Sequence, residues 1–275
     1  MALTRSLQGT SNNGSTDGTV SHNGTLDCGT VTNGGVLIVS AGGTTYNSSL
    51  GTPPGTPNLP TKNSGTATIG TAVLITSAGS GPATAHVSAW EIPITGSGTL
   101  ILDTTDNGDT YGYAYTALMY TGQDPTTAIA GAVAQTSGAA NLSNSTLGAT
   151  PAADDETVYV VNWDTDPGAV GVAAGTNFTS RSDQGSGSGQ YIQMQTATRA
   201  GSVSTSTTVV YGTQDGTPAV FTGAGIAFIV KAAATDPTGT MAVTQDAQTM
   251  TATGTYTPPP VTAIAGLWNS GRRRI

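Results

Sequence analysis

Short apolar runs bounded by glycine, Asn, Asp or Ser recur along most of this chain. "GGVLIVSAGGTTYN" (Gly34 to Asn47) stops at a second Gly-Gly pair and resumes, a pattern that predicts a hairpin. "TAVLITSAG" follows, and then "AHVSAWEIPI", in which Val87, Ala89 and Glu91 alternate with His86, Ser88, Trp90 and Ile92. "GTLILDTTDNGDTYGYAYTALMYTG" predicts two strands joined by an Asp-Asn-Gly-Asp turn, with Gly108 free to take a positive φ. "ETVYVVNWDTD", "QYIQMQTATRA", "STTVVYGT" and "GAGIAFIVKAA" predict further strands. "TTAIAGAVAQTSG" is the one segment whose spacing suits a helix, and its glycine weakens that reading.

Composition favours strands throughout. Charged residues are 9% of the 275, and 38 residues are glycine. A helix in such a chain lacks the Lys, Glu and Arg that solvate its outer face, whereas Thr, Val, Ile and Tyr fit a pleated surface. The predicted fold class is all-β, an antiparallel β-sandwich of jelly-roll-like form with extended N- and C-terminal arms. Its expected divisions are an arm over residues 1–25, a sandwich body over 26–234 and a C-terminal arm with a basic tail over 235–275. "LGTPPGTPNLPTKNSG" is a proline-bearing loop that no central strand can hold. From Asp236 a weak alternation leads to a proline stop at Pro258 to Pro260, as suits an arm that adds to a neighbour's sheet edge. No fixed-period repeat stands out.

Eight basic residues face sixteen acidic ones, and three of the eight are Arg272, Arg273 and Arg274. The rest of the chain is therefore strongly acidic and repels phosphate, which argues against nucleic acid as a partner. The opening "MALTRSLQGTSNNG" has no apolar signal core, and no run is long enough for a membrane helix. With one cysteine, Cys28, the expected setting for folding is a reducing cytoplasm, with no membrane partner.

Catalytic signals are sparse. His22 and His86 are the only histidines, and no nucleophile elbow, zinc spacing, P-loop or dinucleotide fingerprint accompanies them. The expectation is a protein that is not an enzyme and needs no cofactor. Calcium is the one candidate ion, because Asp103, Asp106, Asn107 and Asp109 gather oxygen ligands within one short turn. The same residues suit a hairpin turn for backbone reasons alone, as do those of Asp154 to Glu156 and Asp164 to Asp166. Tyr111, Tyr113 and Tyr115 share one strand face by period two and form a candidate glycan-stacking platform, against the competing reading of cross-strand packing. Trp90 and Trp163 face the same choice. At the C-terminus, Val261, Ile264, Leu267 and Trp268 precede the three arginines. A solvated tail has no use for those apolar residues, so Leu267, Trp268, Arg272, Arg273 and Arg274 are the candidate partner-binding residues.

The series "VLIVSAGGTTYN", "SAWEIPITGSGTLILDTT", "YTALMYTGQDPTTAIAGAVAQTS", "ETVYVVNW" and "GIAFIVKAA" resembles a jelly-roll module of phage structural proteins and some bacterial surface proteins. "YTGQDPTTAI" is its most specific part, although Pro125 directly after Asp124 departs from the family's order. The resemblance implies a virion structural protein without catalysis, and it transfers no site residues. It leads to a first expectation of a capsid decoration or cement protein, assembled in the host cytoplasm, that binds other virion proteins, above all the major capsid protein, through its arms. Open strand edges suit a homo-oligomer, a trimer or larger. The alternative is a tail or head-fibre adhesin that binds host glycan. A bacterial surface or carbohydrate-binding module ranks third.

Overall fold

Runs of Val, Ile, Tyr and Thr between glycine-rich turns favour extended backbone, and the regular elements among the described residues are all strands. The computed structural model describes residues 2–14, 23–44, 58–79, 85–105, 112–137, 142–165, 172–185, 192–214 and 220–234. One compact unit is Met1–Ala234; a second, Thr235–Ile275, lies outside the described residues.

The first half of the unit contains β1 (Thr4–Gly14), β2 (Asn23–Val31), β3 (Val36–Thr44), β4 (Thr61–Ser64), β5 (Thr68–Ile69), β6 (Val73–Ala78), β7 (Ala85–Gly96), β8 (Gly98–Thr105) and β9 (Gly112–Thr121). They form a large antiparallel sheet, β1-β9-β3-β7, with both β5 and β6 paired to β7, and a smaller sheet, β2-β8-β4. The second half contains β10 (Ile129–Ser137), β11 (Ser145–Thr146), β12 (Glu156–Thr165), β13 (Val172–Ala173), β14 (Thr179–Gly185), β15 (Ile192–Ala200), β16 (Thr208–Val209), β17 (Thr213–Gln214) and β18 (Val220–Val230). Its large sheet is β10-β18-β12-β15-β14, and β11-β16 and β13-β17 are short pairs beside it.

The two halves share one topology. With the short β5 set aside and β16 and β17 counted as one interrupted strand, each large sheet runs first, eighth, third, sixth, with the fifth strand at the edge. The second, seventh and fourth strands make the smaller layer. This is the strand order of a jelly roll, except that the fifth strand pairs with the sixth. The segment read as an N-terminal arm supplies β1, the edge strand on β9.

The two large sheets pack face to face. Val36, Ile38, Val87, Ala89 and Leu118 of one meet Val158, Val160, Met194, Ile226 and Phe228 of the other in a single apolar layer. Each sheet is also covered on its outer side. Leu37, Val39, Trp90, Ile92 and Met119 pack under Leu26, Leu100 and Leu102 of the smaller sheet, while Tyr159, Val161, Trp163 and Ile229 pack under Leu142, Phe178, Val209 and Tyr211. A strand buried on both faces needs apolar residues at successive positions, which explains why "VLIV" and "VYVV" run without alternation.

Between the sheets β6 lies on β10, β7 on β18, β3 on β12, β9 on β15 and β1 on β14. Exchanging the two halves reproduces this set, so an approximate two-fold axis relates them and passes where β3 meets β12. There, a Cβ on Gly42 would stand 3.0 Å from Cγ of Asn162. The Asn162 amide reaches across, Nδ2 donating to the carbonyls of Gly43 at 2.8 Å and His86 at 3.1 Å.

Three local expectations are corrected. "TTAIAGAVAQTSG" contributes strand β10 rather than a helix: Gly131 takes φ 62°, the register slips between Ala130 and Val133, and the remainder pairs with β18. The Gly-Gly pair after "VLIVSA" does not turn the chain, because β3 continues through Gly42 and Gly43 and the missing side chain makes room for Asn162. The strands of "GTLILDTT" and "GYAYTALMYT" both form, but β8 and β9 belong to different sheets and make no hairpin.

"YTGQDPTTAI" crosses from β9 to β10. Asp124 Oδ1 accepts from the Thr126 amide at 2.8 Å, the Thr126 hydroxyl at 2.7 Å and the Thr127 amide at 3.0 Å, and these bonds lower its pKa. Proline after the aspartate leaves this side-chain turn intact. The connector is tied to the end of the second half by bonds between Asp124 N and the Lys231 carbonyl, 2.8 Å, and between Ala233 N and the Gly122 carbonyl, 2.8 Å.

Replacing Asn162 with alanine removes the donor that two buried carbonyls share between the halves. The expected loss is about 1–3 kcal/mol in urea unfolding. An unchanged midpoint would mean that this contact carries no net stability.

Candidate functional site

The approximate symmetry leaves two related ends of the inter-sheet layer, and the sequence fills them differently. At one end the Arg5 guanidinium on β1 pairs with the Glu156 carboxylate at the start of β12 and donates to Thr198 Oγ1 at 2.8 Å. The Tyr120 hydroxyl donates to the same Glu156 oxygen at 3.1 Å, and Arg181 Nε donates to Thr198 Oγ1 at 2.8 Å. Burial, with the negative charge of Glu156 beside it, raises the Tyr120 pKa well above its usual value. Burial, with the Arg5 charge nearby, lowers that of Arg181. The cluster fastens the polar edge strand β1, whose Leu7 is half exposed, to the second half of the unit.

At the other end lies an open cavity of about 300 Å³ between β6 and β10. Val73, Leu74, Ile75, Glu91, Ile129 and Gly131 line it. Strand register identifies its residues as counterparts of the polar cluster. Ile129 pairs with Val230 as Arg5 pairs with Tyr120. Val36 stands between Tyr120 and Pro93 as Glu156 stands between Val230 and Ala200. Glu91 opposite Ile38 corresponds to Thr198 opposite Val158, and Ile75 and Arg181 are the bulged residues of β6 and β14. Apolar side chains thus replace both arginines and Glu156, and a carboxylate, Glu91, stands where Thr198 accepts from the two arginines. Burial raises the Glu91 pKa.

The residues singled out from sequence fare unevenly. Tyr115 is 3% exposed and its hydroxyl donates to the Thr105 carbonyl at 3.2 Å, so it offers no face to a sugar. Tyr113 lies in β9, and Tyr111 lies outside the described residues. Trp90 and Trp163 are core residues. Asp103 Oδ1 accepts from Asn63 Nδ2 at 2.6 Å, while Asp106, Asn107 and Asp109 lie outside the described residues. Among the described residues no group of three or more His, Cys, Asp or Glu side chains is placed to hold a metal ion. Asp155 is structural, its carboxylate accepting from the amides of Ala152 at 2.8 Å and Ala232 at 2.9 Å. His22, Leu267, Trp268, Arg272, Arg273 and Arg274 lie outside the described residues.

His86 is buried, with Nε2 3.1 Å from the Ser88 hydroxyl, and burial lowers its pKa to about 4. Cys28 is buried, and its thiol is pushed up to about 12, which suits packing and not nucleophilic chemistry.

The groove was missed because its residues come from three separated segments that the sequence shows only as ordinary strand residues. The one available signal was Glu91, an acidic residue at a position where Val87 and Ala89 mark the inward face. No family model, curated protein or solved structure matches this chain.

Two measurements probe these sites. Glu156→Gln leaves Arg5 and Arg181 without the carboxylate they face, at an expected cost of about 2–4 kcal/mol, reduced from the fully buried case by partial exposure. Pairing Glu156→Leu with Arg5→Met should recover most of it, and failure to recover in urea unfolding would show that packing, not the uncompensated charge, was lost. For His86, the unfolded imidazole titrates near 6.5 and the folded one near 4. Between those values the unfolded chain binds the proton that the folded chain refuses. Stability therefore falls as pH drops from 6.5 to 4, by about 3 kcal/mol in all. His86→Gln should remove that share of the pH dependence, and parallel profiles for the two proteins would show that His86 does not supply it.

Proposed function

We propose that the protein is a non-enzymatic virion structural protein, a capsid decoration or cement protein that attaches to the head shell through terminal segments. The observation that carries this reading is where the chemically capable side chains of the described residues lie. His86, Cys28, Trp90, Trp163 and Tyr115 are all spent on packing. What remains for a partner is a sparsely charged, acidic, Thr- and Gly-rich exterior and the terminal sequence "GLWNSGRRRI". A jelly-roll strand order is shared by viral capsid and lectin domains and does not by itself choose between them. The burial of Tyr115 counts against the tyrosine face as a glycan platform, which ranks the adhesin reading second.

In this reading Trp268 fills a pocket on the shell, and the three arginines pair with acidic groups around it. The shell protein is the expected partner, and attachment of many copies around each capsomer accounts for a homo-oligomeric arrangement on the particle.

Replacing Arg272, Arg273 and Arg274 together with alanine should lower particle occupancy and flatten its dependence on salt, with the unfolding midpoint of the body unchanged. Occupancy is read by quantitative mass spectrometry of purified particles against the most abundant shell protein. Hundreds of copies in simple ratio to the shell are expected. A handful per particle, or occupancy indifferent to the substitutions across a salt series, would overturn the proposal.

A further inference from the structure

We propose that the groove between β6 and β10 is a docking site for a partner protein segment that presents an arginine between apolar side chains. The inference rests on the reading of an attachment protein and specifies the chemistry that one of its surfaces accepts.

Among the described residues that line it, the groove holds one carboxylate and no cation. Neither a hydrogen bond nor a basic group among the described residues meets the Glu91 carboxylate, while β6 and β10 surround it with Val73, Ile75 and Ile129. A desolvated carboxylate in such a setting is costly until a cation joins it. The related end of the layer displays the complement. There the position of Glu91 is held by Thr198, whose hydroxyl oxygen accepts from Arg5 and from Arg181 at 2.8 Å each, beside the Glu156 carboxylate that pairs with Arg5. In the groove Ile129 and Ile75 occupy the positions of those two arginines. A partner segment carrying an arginine would bring to Glu91 the cation that no described residue supplies.

Arginine fits better than lysine. Its planar, weakly hydrated head lies along apolar walls and offers two parallel donors to one carboxylate. The flanks call for apolar neighbours, since Val73 is 56% and Leu74 51% exposed beside the cavity. Among the described residues β6 pairs only with β7 and so presents an open edge, whereas β10, paired with β18, also has the Gly131 carbonyl bonded to Gly148 N at 3.2 Å. An extended segment can add backbone bonds along β6 while its side chains enter the groove.

The test uses the full chain and a short fluorescein-labelled peptide of alternating valine and threonine around one arginine, with a twin that carries citrulline instead. Fluorescence anisotropy should show the arginine peptide binding on the order of tenfold more tightly than its twin. Glu91→Gln should abolish that preference and leave the weaker binding of the twin unchanged. Leu74→Ser should weaken both peptides. Absent binding of the arginine peptide, equal affinity for the twins, or a preference that survives Glu91→Gln would overturn the proposal. Particle occupancy measured separately distinguishes the two readings. Peptide binding by a protein that no particle carries removes the attachment role and keeps the groove, whereas full occupancy with no peptide binding removes the groove alone.

Discussion

The contact of β3 with β12 governs the rest of this fold. Both strands are central in sheets whose two faces are buried, so the sheets can approach only where side chains leave room. Gly42 provides that room and Asn162 fills it, donating to two carbonyls of the facing sheet. An amide at this point fixes the relative register of the two halves in a way that an apolar residue would not, because hydrogen bonds are directional and van der Waals contacts are not. From that crossing the remaining pairs follow, β7 over β18 and β9 over β15, with the edges β1 and β10 lying over β14 and β6.

A duplicated topology divides its two related ends between different tasks. One end is closed by the Arg5–Glu156 pair with Tyr120, Thr198 and Arg181, which holds a polar edge strand that has little apolar surface of its own. The other is held by an apolar first strand, β10, with no ion pair among the described residues. That difference leaves the second end an open groove in which Glu91 is the acidic side chain among the described lining residues. Where two halves of one chain share a framework, the positions at which they differ are informative, since the framework itself accounts for what they have in common.

The duplication was not legible as a repeat. Val36 and Glu156 are equivalent at a separation of 120 residues, Pro93 and Ala200 at 107, and Tyr120 and Val230 at 110. Loops of unequal length shift the offset, so no fixed period survives. The equivalent residues also differ in kind, Arg5 against Ile129 and Glu156 against Val36, because strand pairing constrains the backbone and leaves side chains to local packing. The doubtful helix reading of "TTAIAGAVAQTSG" gives way for a related reason: alanine and glycine say little by propensity, and an open edge on β18 decided the matter. Tyr115 was placed correctly in a strand, but which face of that strand was covered depended on the smaller sheet above it.

By itself the sequence determined the all-β class, the central strands of both large sheets and the absence of local catalytic motifs, because glycine-bounded runs of β-branched and aromatic residues allow few other conformations. It also placed the unusual concentration of basic charge at the C-terminus. Only the tertiary structure decided that the body is two related halves packed sheet to sheet, that β8 and β9 part into different layers, and that among the described residues no cation meets Glu91. Each of these depends on pairings between strands far apart in the chain, whose register is set by which faces the completed layers bury.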